Sequence, residues 1–516
     1  YQELKLPVNP GISDYVIELP PDRRNTNQRA VQLPDSFGVI MPFRYGEIKN
    51  ASGLTDADVV QLAWFHYFDE DESAFSSSDT ILNQVWDMCK YTMKATSFAG
   101  LYVDGDRERI PYEADAYINQ LGHYCTDSEY AMAKQTIEYF MDNPTWPTEW
   151  LLHTVMMFYQ DYLFTGDTEL LEAYYNELKS KTLIDLARQD GLISSKSEKV
   201  SGTFMQHIGF KDTTQRIRDI VDWPPAQKDT GWKLATEEGE RDGHQMLPIN
   251  TVVNSFFYLN MKLMAEIAAL LEKPADRAYF ERMALRVKRS INRTLFDQDK
   301  GIYIDGEGAT HSSLHSNMLP LAFGIVPQEH KKTVIQFIKS RSMACSVYGA
   351  QYLLEGLYEA EEDTHALDLM RATHDRSWWN MIQIGSTIAL EAWDMKYKPN
   401  ADWNHAWGAA PANIIPRYLW GIQPAMPGFE KVTIKPQMGD LTHSSIVFPA
   451  LPGQIKASFE KVSDSHELFT VQLPANMAGR FVYEHTHAKK VILNGSKTGS
   501  ELLLQPGENT IELWYD

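Results

Sequence analysis

Phe256-Phe-Tyr-Leu-Asn-Met-Lys-Leu-Met-Ala-Glu-Ile-Ala-Ala-Leu-Leu-Glu-Lys-Pro-Ala-Asp-Arg-Ala-Tyr-Phe280 is the joint between two long helical stretches, 250–271 and 274–297, and it sets the pattern for most of the chain. Apolar residues recur at helical spacing on either side of Glu272-Lys-Pro-Ala-Asp276, and so short a break makes the two helices antiparallel neighbours. The same reading applies to 126–141, 148–165, 167–188, 328–342, 346–359 and 406–420, with Thr165-Gly-Asp167 as a further stop. Ser76-Ser-Ser-Asp79 supplies N-cap residues just before Ile81, Val85 and Met88, so the helical region starts near residue 79. Roughly a dozen such stretches up to residue 421 make about six hairpins. No sequence repeat of about 34 or 40 residues accompanies them, which argues against a solenoid and for a closed ring, an (α/α)6 barrel.

Outward from the ring the period changes. Beyond Gly421, Val432-Thr-Ile-Lys-Pro436, Gly453-Gln-Ile-Lys-Ala-Ser-Phe459, Leu468-Phe-Thr-Val-Gln-Leu473, Phe481-Val-Tyr483, Lys490-Val-Ile-Leu493 and Asn509-Thr-Ile-Glu-Leu-Trp514 read as short strands, and Asn494-Gly495 as a hairpin turn. Before Ser76, 15–19 and the β-branched, aromatic run 59–68 also read as strands. The fold class is mainly α with β domains: a β-rich N-terminal segment over 1–78, expected to be part of a truncated β-sandwich, the barrel over 79–421, and a C-terminal antiparallel β-sandwich over 422–516.

A length of 516 residues suggests two or three domains, and 43% hydrophobic with 23% charged residues excludes disorder or a fibre. Against 48 Lys+Arg stand 69 Asp+Glu, a net charge of −21 that repels phosphate backbones and argues against nucleic acid as a partner. No run reaches about 18 apolar residues, so no membrane span is expected. Cys89, Cys125 and Cys345 are too scattered for a disulfide framework or a metal knuckle, and are expected to be small buried hydrophobes. The chain opens Tyr-Gln-Glu-Leu without Met or an apolar leader, which reads as a processed form or a fragment. With 13 Trp and 25 Tyr the composition suits a large core, and also the stacking of sugar rings.

Two segments carry more chemistry than packing needs. Asp104-Gly-Asp-Arg-Glu-Arg-Ile-Pro-Tyr-Glu-Ala-Asp115 is an irregular loop running into a helix near Tyr112, with carboxylates crowded beside two arginines. Such crowding raises some carboxyl pKa values and lowers others. In Ser377-Trp-Trp-Asn-Met-Ile-Gln-Ile-Gly-Ser-Thr-Ile-Ala-Leu-Glu-Ala-Trp-Asp394, Glu391 stands alone among apolar and small residues, so it must be paired, neutral or functional. Two acids from distant parts of the chain fit glycoside hydrolysis, one protonating the leaving oxygen and one activating water or attacking carbon. A helical ring would bring its hairpin loops to one shared face.

These residues resemble a known family. The loop 104–115 is similar to the Asp…Arg-x-Glu-Arg-x-Gly-Trp-x-Gly-Asp signature of glycoside hydrolase family 78, the α-L-rhamnosidases. Asp222-Trp223, the segment Trp378 to Trp393, Asn404-His405-Ala-Trp-Gly408 and Leu419-Trp-Gly-Ile422 with Pro427-Gly-Phe429 match further motifs in the same order, over roughly residues 70 to 516. The resemblance implies an inverting hydrolase with Glu108 as general acid and Glu391 as general base, needing neither metal nor cofactor. It implies that Asp104 and Asp115 hold the sugar, that Asp222 and Trp223 line the pocket, and that His405 contacts the sugar or orients Glu391. Arg109, Tyr112, Glu113, Trp378 and Trp393 complete the implied binding set. The implied partner is a rhamnose-containing oligosaccharide, polysaccharide or glycoside, and the expected location is periplasmic or secreted.

The chain departs from the signature at Pro111-Tyr112-Glu113-Ala114, where the family has Gly-Trp-x-Gly. Glu113 therefore competes with Glu108 for the acid role, and the seven-residue spacing from Glu108 to Asp115 favours Glu108. Glu149, Trp150 and His153 at a helix start are weaker pocket candidates, since a helix N-terminus favours an acid for its dipole alone. His311 and His315 have i,i+4 spacing without a visible third metal ligand, and His123 and His374 are lone histidines. Another inverting glycosidase, a polysaccharide lyase, or a non-catalytic carbohydrate-binding protein remain as alternatives on the same ring.

Overall fold

The computed structural model describes all residues except 1, 2, 8, 10, 12–18, 41, 42, 44, 484–487, 499–501 and 516. Its helices begin at Thr80, where the Asp79 carboxylate accepts the N–H groups of Ile81 and Leu82 and so satisfies two donors that the first turn leaves unpaired. From there two kinds of helix alternate. Glu113–Thr126, His153–Thr165, Thr251–Leu270, Leu314–Ala322, Val347–Glu359 and Pro411–Ile414 bury most of their side chains. Thr80–Thr96, Ala131–Asp142, Glu169–Lys181, Pro274–Thr294, Lys331–Arg341 and Asp363–Met370 bury only a stripe. A helix apolar on every side is an inner wall, and one with a single apolar stripe covers it from outside. Pro411–Ile414 packs on both Glu113–Thr126 and Thr80–Thr96, which closes the ring of six hairpins.

Proline sets the main deviations from the expected helices. The stretch 406–420 divides into Ala406–Gly408, Pro411–Ile414 and the π turn Ile415–Leu419, because Pro411 and Pro416 lack an N–H for a continuous ladder. The stretch 148–165 is interrupted at Leu152, and 274–297 ends in a two-residue strand, Phe296–Asp297.

The first strand is Ala74–Ser77, and it belongs to the far end of the chain: it pairs antiparallel with His443–Ala450, Phe75 opposite Ile446. The sheet continues through Gly453–Ser463, His466–Leu473, Gly507–Trp514, Lys490–Leu493 and Ser496–Lys497. A second sheet orders Leu502–Leu504, Ala478–Phe481, Lys431–Ile434 and Ile422–Met426. Every pairing in these two sheets is antiparallel except Lys431–Ile434 with Ala478–Phe481, which run parallel, a correction to the expected all-antiparallel sandwich. Asn494 and Gly495 both take positive φ, as the hairpin turn requires.

The N-terminal stretch differs from its sequence reading. Most of 15–19 lies outside the described residues. The run 59–68 forms no strand: Val60 and Leu62 are 79% and 90% exposed. β-Propensity expresses packing against neighbours, and no strand among the described residues lies beside this run to supply it.

Candidate active site

The segments that lead into the inner helices touch one another in turn. Thr145 N–H donates to Glu113 at 2.9 Å; Thr148 N–H donates to the Arg218 carbonyl at 3.0 Å; and Glu149 accepts the N–H groups of Ile220 and Val221. Asp222 accepts from His315 Nε2 at 2.6 Å and from the Ser346 N–H at 2.9 Å. Trp393 Nε1 donates to the Cys345 carbonyl at 2.7 Å, and Arg107 and Asp115 reach Glu391 and His405, which completes the circle. One end of the ring is therefore built from loops, and the sequence-predicted acids lie on it.

The loop 104–112 is closed on itself. Asp104 N–H donates to the Ile110 carbonyl and Ile110 N–H to Asp104 Oδ1, each at 2.9 Å. Gly105 is required here: a β-carbon would stand 2.7 Å from Asp402 Oδ2 and 2.9 Å from the Asn404 carbonyl. The loop projects Glu108, whose side chain is 35% exposed, with Oε1 accepting from Arg107 Nη2 at 3.0 Å and Oε2 from Tyr112 Oη at 3.4 Å.

Glu391 is buried, and of the three states open to a lone carboxylate in an apolar run it takes the paired one. Its Oε2 accepts from Lys398 Nζ at 2.9 Å, Arg107 Nη1 at 3.1 Å and the Asp402 N–H at 2.9 Å. Oε1 accepts no hydrogen bond from the described residues. Burial pushes this carboxyl upward, but Lys398, His405 and Arg107 outweigh it and hold the group at about 2, so it is ionised throughout the neutral range. One guanidinium thus joins Glu108 to Glu391, which limits the gap between their nearer oxygens to about 8 Å, given C–N bonds of about 1.33 Å. Around them burial raises Asp104 and Asp115, and it raises Asp402 to about 6. Glu391, Asp402 and His405 bring ligand atoms within 4.8 Å of one another, yet Lys398 and Arg107 already supply the positive charge a cation would.

An aromatic wall runs from Glu108 into the ring. Tyr112 meets Trp150 edge-on at 5.4 Å, Trp150 meets Tyr348 and Trp407, Tyr348 stacks on Trp407 at 5.6 Å, and His405 lies against Trp407 at 4.8 Å. Trp150 Nε1, Tyr348 Oη, Glu149 Oε2 and His405 Nδ1 are buried there without a hydrogen-bond partner among the described residues. Buried polar atoms are ordinarily satisfied, so these four are exceptions within an otherwise apolar stack.

Several expected binding residues are used otherwise. Trp378 and Trp393 are fully buried, with their indole N–H groups donated to the Gly408 and Cys345 carbonyls, so neither offers a face to a ligand. Arg109 is held by Asp106 and the Ile40 carbonyl, away from Glu391. Glu113 is fully buried against Thr145, with Lys181 nearby, so it offers a leaving oxygen no approach from solvent. Asp222 is fully buried between Ser346 and His315, and Trp223 meets Trp232 edge-on at 6.2 Å. His311 bonds Asp305 whereas His315 bonds Asp222, so the i,i+4 pair does not converge. Sequence reasoning missed Lys398, Asp402, Tyr348 and Trp407; Trp407, inside the Asn404–Gly408 motif, carried a local signal, and Arg107 stood in the singled-out acid loop without a role of its own. A cavity of about 630 Å³ beside His311, Arg341 and Arg376 contains neither Glu108 nor Glu391.

Residues 70–419 match the family model described as the bacterial α-L-rhamnosidase six-hairpin glycosidase domain, and residues 421–495 match the bacterial α-L-rhamnosidase C-terminal domain. An α-L-rhamnosidase of Formosa agariphila is 21% identical over 497 residues, 88% of this chain and 48% of the relative. The chain spans a third to a half of the length of the curated relatives it matches. Among solved structures, the α-L-rhamnosidase of Dictyoglumus thermophilum superposes with a TM-score of 0.70 at 16% identity, over 86% of this chain and 50% of that one. The Streptomyces avermitilis α-L-rhamnosidase complexed with L-rhamnose does so at 0.65 and 14% identity, over 85% and 42%.

Proposed function

The chain belongs to the family of bacterial α-L-rhamnosidase six-hairpin glycosidases, and from that premise we propose that it releases terminal α-L-rhamnose from glycans or glycosides with inversion, Glu108 acting as general acid and Glu391 as general base. The observation that carries this reading is the pairing of Glu108 and Glu391 with the two arms of Arg107. Inverting enzymes need their two carboxyls about 6.5–9.5 Å apart, so that water fits between base and sugar; the upper limit of about 8 Å admits that interval as well as the shorter one of retaining enzymes, and inversion is carried over from the family. The two environments suit opposite tasks. Glu391 is kept ionised by Lys398, His405 and Arg107, with Oε1 accepting no hydrogen bond from the described residues, while Glu108, about one-third exposed, stands where a leaving oxygen can approach from solvent.

Tyr112, half-buried beside Glu108, supplies an apolar face for the C–H side of a sugar ring, with the buried Trp150, Tyr348 and Trp407 packed behind it. The L-rhamnose bound by the Streptomyces relative supports the same substrate class here. Against a lyase, the arginine pair that would hold a uronate is divided, with Arg109 tied to Asp106 and Arg107 shared between the two glutamates.

The test is a panel of p-nitrophenyl glycosides, with proton NMR of the first anomer released. Glu391→Gln should lower turnover on every substrate by about 10²–10⁴-fold, whereas Glu108→Gln should spare activated aryl glycosides, whose leaving groups need little protonation. Release of the retained anomer first, or equal losses on activated and natural leaving groups in Glu108→Gln, would overturn the assignment.

A further inference from the structure

Asp402 is tied to Glu391 through the backbone and keeps one carboxylate oxygen buried without a partner among the described residues. Its carbonyl accepts the Glu391 N–H at 3.0 Å and its own N–H donates to Glu391 Oε2 at 2.9 Å, so the backbone fixes the two side chains together. Asp402 is 8% exposed, and its Oδ2 is buried without a hydrogen-bond partner among the described residues. That oxygen faces Gly105, where even a methyl group would collide with it, three residues before Glu108. Ligand atoms of Glu391, Asp402 and His405 lie within 4.8 Å of one another, a span that one water molecule bridges.

We propose that Asp402 is a proton-relay residue of the site, receiving through Glu391 the proton that the attacking water releases. The inference rests on the reading of Glu391 as base. The water oxygen bonds to the anomeric carbon as one of its O–H bonds breaks. The bond from that carbon to the leaving oxygen breaks, its electron pair stays on that oxygen, and Glu108 protonates it. The released proton passes from Glu391 to the Asp402 carboxylate, leaving Glu108 ionised and Asp402 neutral until both exchange with solvent. A carboxyl held at about 2 is a poor store for a proton at neutral pH, and one raised to about 6 is a better one. Burial sets the Asp402 value. Arg107 on the acid loop, His405 and Lys398 lower it and Glu391 raises it; Asp104 on the acid loop and Arg24 from the N-terminal stretch also face it.

Since Asp402 must be ionised to accept a proton, kcat/KM should fall as pH drops through about 6. Asp402→Asn should lower kcat/KM at pH 7 by about 10–100-fold and abolish that limb. A purely structural Asp402 would lower the rate at every pH and keep the limb, and that result overturns the proposal. Glu391→Gln separates the two failures: if it stays active the base assignment is wrong, and if it is inactive while Asp402→Asn keeps the limb only the relay is wrong. A second readout needs no change at Asp402. In the wild-type protein labelled with ¹³C at aspartate carboxyls, the signal assigned to Asp402 should titrate near 6 and shift in Gly105→Ala. Absence of such a signal counts equally against the relay.

Discussion

Glu391 owes its low pKa to Lys398, His405 and Arg107, and the lysine and the arginine are of different origin and separable. Lys398 lies seven residues away on the same segment, whereas Arg107 arrives from 284 residues away on the acid loop. Removing the lysine leaves Arg107 and the Asp402 N–H in place, so the carboxylate is weakened and not abandoned. Lys398→Met should cost about 1.5–3 kcal/mol, the range for a hydrogen bond to a charged group, and should raise the Glu391 pKa from about 2, because the opposing push from burial then dominates. The sign follows from linkage. A carboxyl depressed in the folded state contributes stability that is present above its ordinary value of 4.5 and lost as pH falls through about 2. In Lys398→Met that loss should begin at higher pH, which acid unfolding followed by circular dichroism measures; an unchanged acid transition would show that Arg107 and His405 suffice to set the charge. At this scale the sequence was legible in part. The apolar run marked Glu391 as a carboxylate needing a partner, but local sequence did not single out Lys398 as that partner. Trp378 and Trp393 were misread because residue type signals an aromatic face, and only burial shows whether that face is already covered.

Elements were legible where one periodicity runs unbroken. Thr251–Leu270 and Pro274–Thr294 fall within two residues of their expected start and three of their expected end, since each carries a full apolar face and the joint between them stops both. The segment 406–420 was misread because its apolar residues keep a helical period while Pro411 and Pro416 deny it a helical ladder. Run 59–68 was misread for the converse reason, having strand-forming residues with no neighbouring strand among the described residues. The acid loop shows what an irregular element depends on. Gly105 lets the loop lie against Asp402 and Asn404, and Asp104 closes it onto Ile110. In Gly105→Ala the β-carbon meets a backbone carbonyl that cannot rotate away, so the loop itself must move and carry Glu108 with it. We expect a destabilisation of about 1–3 kcal/mol, typical of overpacking, together with at least a tenfold loss of kcat/KM. Calorimetry beside kinetics checks this, and a stability loss without a kinetic one would mean that Glu108 is positioned independently of the loop.

Over the whole molecule, the ring and the sheets share one core. Strand Ala74–Ser77 precedes the first helix and yet completes the C-terminal sheet, and Gly166, just past the helix His153–Thr165, lies against Gly428. Between them sits Phe429, fully buried with φ of 56°, its ring 5.4 Å from Phe164 of the barrel and 5.4 Å from Phe448 of the sheet. A side chain that touches both bodies couples their unfolding, and its removal leaves a cavity that neither body can fill alone. Phe429→Ala should therefore cost about 3–5 kcal/mol and broaden or split the thermal transition, with the sheets and the ring melting at different temperatures. Because Phe429 lies outside the loops that carry Glu108 and Glu391, kcat/KM well below the first transition should stay near wild type. A single sharp transition at reduced temperature would show that the pairing of Ala74–Ser77 with His443–Ala450 suffices to hold the two together. A loss of activity in the folded variant would show that the sheets position the catalytic loops through the inner helices.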